Sequence, residues 1–405
     1  MPDLVCSGSE TGVLSDKLTA IRAEFPVLES QAYLNTGTAG PLSRQTAAAI
    51  SRQVEHELMH GRASIGATVH QYFRAHEELH DRYARLLGAE PREIAITHHT
   101  TEGMHIAVWG LKWQPGDEII TTNHEHEGGL LPIYAAARHL GLTVRVVDVG
   151  PDSREISRTI EMAISHRTRL VVVSHVSYRT GVVLPLAEIA AVVHRAGAFL
   201  AVDGAQSAGT IPVDVHALNV DAYAISGQKW LCGPEGVGAL YVRTERIGEL
   251  SPTFIGHLSL RDFNAIDLSG YYVPGAGARR YAGGTLFWPG LVGMVESLRY
   301  LEDTVGYDWI FEQTRVITAR AREIIGSIEG LTILSPPGNI ALTAFSVPGI
   351  PTRQVVDCLF EKGVIVRSLS QPSSLRISTG FFTAEPELVR LADALEILPR
   401  RGGNS

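Results

Sequence analysis

Only four of the 35 basic side chains in this 405-residue chain are lysines: Lys17, Lys112, Lys229 and Lys362. Chemistry that needs a primary amine therefore has four candidates. Lys17 sits in a polar-faced helical stretch, Lys112 follows a helix end and Lys362 precedes the helix-stopping Gly363, so all three read as solvated. Lys229 differs. It lies in Ser226-Gly-Gln-Lys-Trp-Leu-Cys-Gly-Pro-Glu-Gly-Val-Gly, directly after an apolar strand. Trp230, Leu231 and the glycines offer little polar solvation, and desolvation favours the neutral amine that attacks an aldehyde. The competing reading is a turn lysine whose head snorkels to water.

Other residues suit a cofactor site, each with a plainer alternative. Asp203 ends the strand Phe199–Asp203, where a carboxylate could partner a protonated pyridine nitrogen or cap a following turn. Thr100 and Thr101 open a helix, a position that binds phosphate or caps without a ligand. His126 could lie flat on an aromatic ring. It is one of six histidines near strand ends, with His98, His99, His105, His124 and His175, which raises a metal-bound hydrolase as another class. Their spacing matches no zinc signature, and no metal is expected. Arg376 sits inside the apolar strand Leu375–Ser378, where a guanidinium needs an anion. That anion is either a substrate carboxylate or an internal ion-pair partner.

These residues need a scaffold that brings strand ends together. Helical spacing runs over Leu14–Phe25, Ser43–His60 and His70–Leu87. Short apolar strands then alternate with helices: Glu93–Thr97, Gly103–Leu111, Glu118–Thr122, Gly129–His139, Thr143–Val149, Leu170–His175, Leu186–Arg195 and Phe199–Asp203. Strands at Ala222–Ser226 and Gly238–Val242 flank the lysine turn. The alternation predicts an α/β fold with a mostly parallel sheet covered on both faces and a ligand beyond the strands' carboxyl ends. Gly270–Gly284 reads as a long loop, and Trp288–Glu302 as a helix leading to a smaller α+β domain. That domain takes strands at Asn339–Val347, Val364–Arg367 and Leu375–Ser378, with helices at Arg353–Glu361 and Glu385–Leu395.

Composition removes other classes. The formal charge of −8 and the lack of a basic run argue against nucleic acid and anionic membrane. No run of about 18 apolar residues predicts a membrane span. Cys6, Cys232 and Cys358 are too few for a disulfide framework, and with no signal-peptide pattern a cytoplasmic enzyme is expected.

The order of Thr97–Gly103, Glu125-His126, Ser174-His175 with Thr180-Gly181, Asp203-Gly-Ala-Gln-Ser, Gly227-Gln-Lys-Trp and Gly283-Gly-Thr resembles the class V aminotransferases, across roughly Tyr33 to Leu395. The similarity is greatest to cystine and cysteine-S-conjugate C–S lyases, with isopenicillin-N-epimerase-like proteins nearby. It implies the pyridoxal 5′-phosphate (PLP) fold type I and PLP as cofactor, in a Schiff-base linkage to Lys229, which also carries the α-proton. Asp203 would pair with the pyridine nitrogen, His126 would stack on the ring and Gln206 would lie near its phenolic oxygen. Thr100, Thr101, Ser226 and Gln228 would hold the phosphate, and Arg376 with Asn35 the substrate carboxylate. A homodimer is implied, Thr285 reaching the partner subunit's phosphate. The expected division is an N-terminal segment, 1–30, packed on the small domain, a large domain, 31–285, and a small one, 286–405.

Two positions depart from the family. Gln228 stands where many relatives have histidine, and Arg179 where lyase relatives have asparagine, so Arg179 is a further substrate-binding candidate. Desulfurases need a nucleophilic cysteine on a loop matching Ser368-Leu-Ser-Gln-Pro-Ser-Ser, which has none, and Cys358 reads as a buried helix residue. The expected reaction is β-elimination from L-cystine or a cysteine S-conjugate. Alternatives are decarboxylative deamination, epimerisation and transamination. The Arg-rich, Lys-poor composition points to a GC-rich bacterial genome and a role in natural-product sulfur tailoring.

Overall fold

The computed structural model describes residues 15–62, 67–150, 153–262, 264–370 and 373–398. In chain order its helices are α1 (Asp16–Ala23), α2 (Arg44–His60), α3 (Ala67–Leu87), α4 (Thr100–Gly110), α5 (Glu127–Leu140), α6 (Ser153–Ala163), α7 (Leu186–Arg195), α8 (Trp288–Arg299), α9 (Tyr307–Ser327), α10 (Thr352–Glu361) and α11 (Glu385–Glu396). The strands are β1 (Ala32–Tyr33), β2 (Ile94–Thr97), β3 (Glu118–Thr122), β4 (Thr143–Val147), β5 (Thr168–Ser174), β6 (Phe199–Asp203), β7 (Ala222–Ser226), β8 (Gly238–Val242), β9 (Thr332–Ile333), β10 (Leu342–Ser346), β11 (Val364–Ile365), β12 (Arg367–Ser370) and β13 (Ser373–Ser378).

Seven strands form one sheet in the order β2-β8-β7-β6-β5-β3-β4. Neighbours from β7 to β4 run parallel, and β8 is antiparallel to both β7 and β2. The expected α/β architecture, with a large and mostly parallel sheet, is what the chain adopts. Apart from the edge strand β4, which is largely exposed, both faces are buried, as side-chain alternation requires of a covered parallel sheet. Val171, Val173, Leu200 and Val202 pack into one apolar layer, and Leu170, Val172, Phe199 and Ala201 into the opposite one.

A four-stranded antiparallel sheet, β12-β13-β10-β9, carries the C-terminal part. Its core takes in Ala32 and Leu34 from the N-terminal side, because β1 pairs in parallel with β11. Arg22 of α1 donates to Phe382 O and pairs with Glu387 of α11, while Ile21, Phe25 and Leu28 pack into the large core with Phe381 and Phe382. Among the described residues no helix is long and apolar enough to cross a membrane.

The structure adds elements that the apolar pattern does not announce. α6 and the 21-residue α9 were not expected. The expected strand Val364–Arg367 is divided at Val366, one half joining β1 and the other β13. Leu14, the expected start of the first helix, lies outside the described residues, and α1 starts behind Ser15, whose Oγ accepts from Leu18 N at 3.2 Å.

Candidate active site

The carboxyl ends of β2, β3, β5, β6 and β7 share one edge of the large sheet. β8 starts at that edge, with Gly238 opposite both Thr97 and Ser226. The turn from β7 to β8 is closed by Gly227 N donating to Val237 O at 2.9 Å and Gly233 N to Gly227 O at 3.0 Å. Cys232 takes a left-handed φ of 52° within it. This holds Lys229 at the edge, where its amine makes no hydrogen bond among the described residues. Burial pushes the amine down to about 8. Asp203 opposes that shift, while Arg376 and Arg367 reinforce it.

Asp203 Oδ1 accepts from Ala205 N at 2.9 Å, a local turn bond. Its Oδ2 faces Gly129 at the start of α5, where even an added Cβ would stand 3.7 Å away, so this oxygen stays approachable. His126 caps α5, its Nδ1 accepting from Gly128 N at 3.0 Å. Burial lowers the His126 pKa, and Lys229 pushes the same way. The ring meets Tyr178 edge-on at 4.8 Å. Gln206 donates to Gly37 O at 2.8 Å and accepts from Trp230 Nε1 at 2.9 Å, which leaves one amide hydrogen for a ring oxygen.

Under Asp203 lies an acid that the sequence reading saw only as a neighbour of His126. Glu125 is buried, accepting from Thr122 Oγ1 and Ser174 Oγ at 2.6 Å each. Burial lifts its carboxyl to about 7, the two hydroxyls oppose that, and Asp203 adds to it.

At the start of α4, Thr100 N donates to Ser226 Oγ at 3.0 Å and the two hydroxyls stand 2.7 Å apart. First-turn N–H groups lack intrahelical acceptors, so this is an anion-binding position. Thr101 lines the adjoining cleft of about 420 Å³ with His99, Gly283 and Gly284. Gln228 Oε1 is buried with no partner.

Arg376 is fully buried and has no carboxylate partner among the described residues, which removes the internal ion pair as its explanation. Its Nη1 donates to Tyr178 O at 2.8 Å and its Nη2 to Thr38 Oγ1 at 3.1 Å, while Nε has no partner. Burial lowers this guanidinium to about 9, and Arg367 adds to the shift. Thr38 Oγ1 donates to Asn35 Oδ1 at 2.7 Å and accepts from Arg367 Nη1 at 3.4 Å. Arg179 stands over the Tyr178 ring at 5.2 Å, with Nε buried and unpartnered. Asn35, Arg179 and Arg376 are thus brought together, and Thr38, Tyr178 and Arg367 join them. Arg367 was hidden by its place in what read as one apolar strand.

Other candidates have separate duties. His98 Nδ1 lies 2.7 Å from Glu102, His99 caps α4, and His105 Nδ1 lies 2.9 Å from Thr101 O. His124 bonds Ser177, and His175 bonds Tyr223 OH at 2.8 Å. Thr285 is exposed in a different, largely apolar cleft of about 350 Å³ with Tyr72, Phe287 and Trp288. Lys17 is not simply solvated: its Nζ donates to Val305 O at 2.7 Å and sits over Trp309. Cys358, expected to be buried, is half-buried on the flank of α10, and Cys6 lies outside the described residues.

An amine of lowered pKa, an approachable carboxylate, and a helix start with two hydroxyls share one edge, with an orphaned amide oxygen beside them. That donor set fits PLP. Thr100, Thr101, Ser226 and Gln228 would hold its phosphate, Asp203 its ring nitrogen, and Lys229 its aldehyde.

Residues 32–391 match the family model described as Aminotransferase class-V. A cysteine desulfurase of Haloferax volcanii is 30% identical, over 93% of this chain and 96% of that protein. One from Escherichia coli O127:H6 is 28% identical, over 94% and 98%. Among solved structures, a mutant of C-DES with glycine covalently linked to its PLP cofactor superposes with a TM-score of 0.88 at 29% identity, covering 93% of this chain and 99% of that one. The cystine C–S lyase C-DES in complex with its reaction product, cysteine persulfide, gives 0.86 at 29% identity, covering 92% and 99%.

Proposed function

The chain belongs to the aminotransferase class-V family, and on that premise we propose that its site eliminates the sulfur substituent of L-cystine or a cysteine S-conjugate. At the coarser level it is a PLP-dependent carbon–sulfur lyase. Thiol or persulfide, pyruvate and ammonia are the products, with one water consumed.

The carrying observation is the pairing of Lys229 with Arg376. One is an amine depressed to about 8, and the other a buried guanidinium without a carboxylate. PLP, when bound, supplies an electron sink that makes the α-proton acidic. Arg376 holds the substrate α-carboxylate through its fork, backed by Thr38 and Asn35. The neutral Lys229 amine takes the α-proton, the Cβ–S bond breaks and the sulfur leaves with the electron pair. Asp203 would keep the ring nitrogen of bound PLP protonated, and His126 would cover the ring face.

Elimination to a free product, rather than transfer of sulfur to an enzyme thiol, is supported by the hairpin beside Arg376. β12 and β13 are joined by Gln371 and Pro372 and carry no cysteine. The active unit we infer is a homodimer. Thr285 is exposed and lines a cleft apart from Lys229, as a residue serving the partner subunit would.

The test is to mix PLP-loaded protein with L-cystine and an S-alkyl-L-cysteine in deuterated water and identify the products by mass spectrometry. Pyruvate with released thiol or persulfide is expected, and Lys229→Ala should abolish both turnover and the yellow colour. Intact amino acid carrying deuterium, or an aldehyde, would overturn elimination in favour of epimerisation or decarboxylative deamination.

A further inference from the structure

Three guanidinium groups meet at Tyr178 and Thr38, whereas one α-carboxylate occupies one of them. We propose that the substrate carries a second carboxylate, at the end of its sulfur substituent, and that Arg179 and Arg367 hold it while Arg376 holds the α-carboxylate. The proposal rests on the reading of Arg376 given above.

The charge pattern is the argument. Arg367 and Arg376 are register partners on adjacent antiparallel strands, where like charges repel. Both guanidinium groups reach the same Thr38 oxygen, at 3.4 and 3.1 Å. Arg179 stands over the ring of Tyr178, whose carbonyl accepts from Arg376. Among the described residues no carboxylate lies within 4 Å of any of the three.

The neighbouring acids are engaged elsewhere. Glu127 faces His126 at 3.4 Å, Asp203 binds Ala205 N, and Glu125 is closed in by Thr122 and Ser174. The arginine cluster of Arg82, Arg85 and Arg299 differs, because each of these contacts carboxylates at 2.5–2.9 Å. An arginine cluster left without counter-ions and partly buried is a receptor for an anion. Nε of Arg179 and Nε of Arg376 are both buried without a hydrogen-bond partner, an unmet donor on each guanidinium. Since Arg367 and Arg376 share the Thr38 hydroxyl, the second anion lies beside the first.

The experiment uses amino acids that have no sulfur to lose. L-2-aminoadipate and L-norleucine are titrated into the PLP-loaded protein by calorimetry. Aminoadipate should bind at least about tenfold more tightly. In Arg179→Asn that ratio should fall to within about threefold, and Arg179→Lys should keep part of it. Equal affinities in the wild type would overturn the proposal, and an unchanged ratio in Arg179→Asn would remove Arg179 from it.

A parallel assay compares kcat/KM for S-(2-carboxyethyl)-L-cysteine and S-propyl-L-cysteine. If neither is cleaved while aminoadipate still wins, the lyase reading fails and the second anion site stands. If both are cleaved equally well and aminoadipate has no advantage, the lyase reading stands and this one falls.

Discussion

Gly40 lies with its backbone directly against the carbonyl of Lys229. Its N–H donates to Gln228 O at 2.7 Å, and a Cβ added there would stand 2.1 Å from Lys229 O. The segment that leaves β1 therefore brings Asn35 and Thr38 to the arginines and clamps the lysine turn with the same few residues. Gly40→Ala must push the two backbones apart, which costs about 1–3 kcal/mol. It should lower the thermal midpoint and weaken PLP retention together, measured by melting and by cofactor absorbance after dialysis. Gly248→Ala, where an added Cβ meets nothing within 4 Å, is the control and should do neither.

A lysine depressed to about 8 is roughly one-tenth neutral at pH 7, whereas an ordinary lysine with a pKa near 10.4 is about 0.04% neutral. With only four lysines, peptide mapping resolves each of them. Reductive methylation of the cofactor-free protein across a pH series should give Lys229 a midpoint near 8. A Lys229 midpoint beyond 10 would show that its surroundings do not desolvate the amine.

Glu125 makes a prediction about stability. Its carboxyl is raised to about 7 in the fold, against about 4.3 in an unfolded chain. Between those values the folded state binds more protons than the unfolded one, so stability falls as pH rises through the window. The loss is on the order of 3 kcal/mol when complete. Glu125→Gln mimics the protonated form, since the Thr122 and Ser174 hydroxyls can reorient around an amide. Wild type and variant should have similar urea midpoints at pH 4.5, and the variant should be the more resistant at pH 8. A wild type that gains on the variant as pH rises would mean that the carboxylate is stabilised where it lies.

Strands β3 and β5 to β8 were legible because each is a short apolar run ending in a turn, and burial on both sheet faces leaves that trace in the sequence. Asp203 and Lys229 were legible for the same reason, as polar residues just past such runs. Arg367 was not, because what read as one strand from Val364 is two, on different sheets, and only the pairing with β1 and β13 separates them. Thr38 was equally hidden: it matters through contacts with residues 329 and 338 positions away, which no local pattern encodes. α9 escaped because its buried positions, Ile310, Thr314, Ile317, Thr318, Ala321 and Ile325, include small and hydroxyl residues that dilute the apolar stripe.

The cysteines decide whether sulfur leaves free or passes through the enzyme. Cys232 is buried behind the lysine turn, and burial pushes its thiol well above the ordinary range, so it is a poor nucleophile. Cys358 is half-buried on α10, where it packs against the small-sheet core. A protein with Cys6→Ser, Cys232→Ala and Cys358→Ser should eliminate sulfur from L-cystine within about threefold of the wild-type kcat, because the base and the carboxylate clamp are untouched. Pyruvate formation is measured beside persulfide labelling of the protein. A drop beyond tenfold that is restored by adding back Cys358 alone would mean that an enzyme thiol accepts the sulfur, and the reaction would then be desulfuration by transfer.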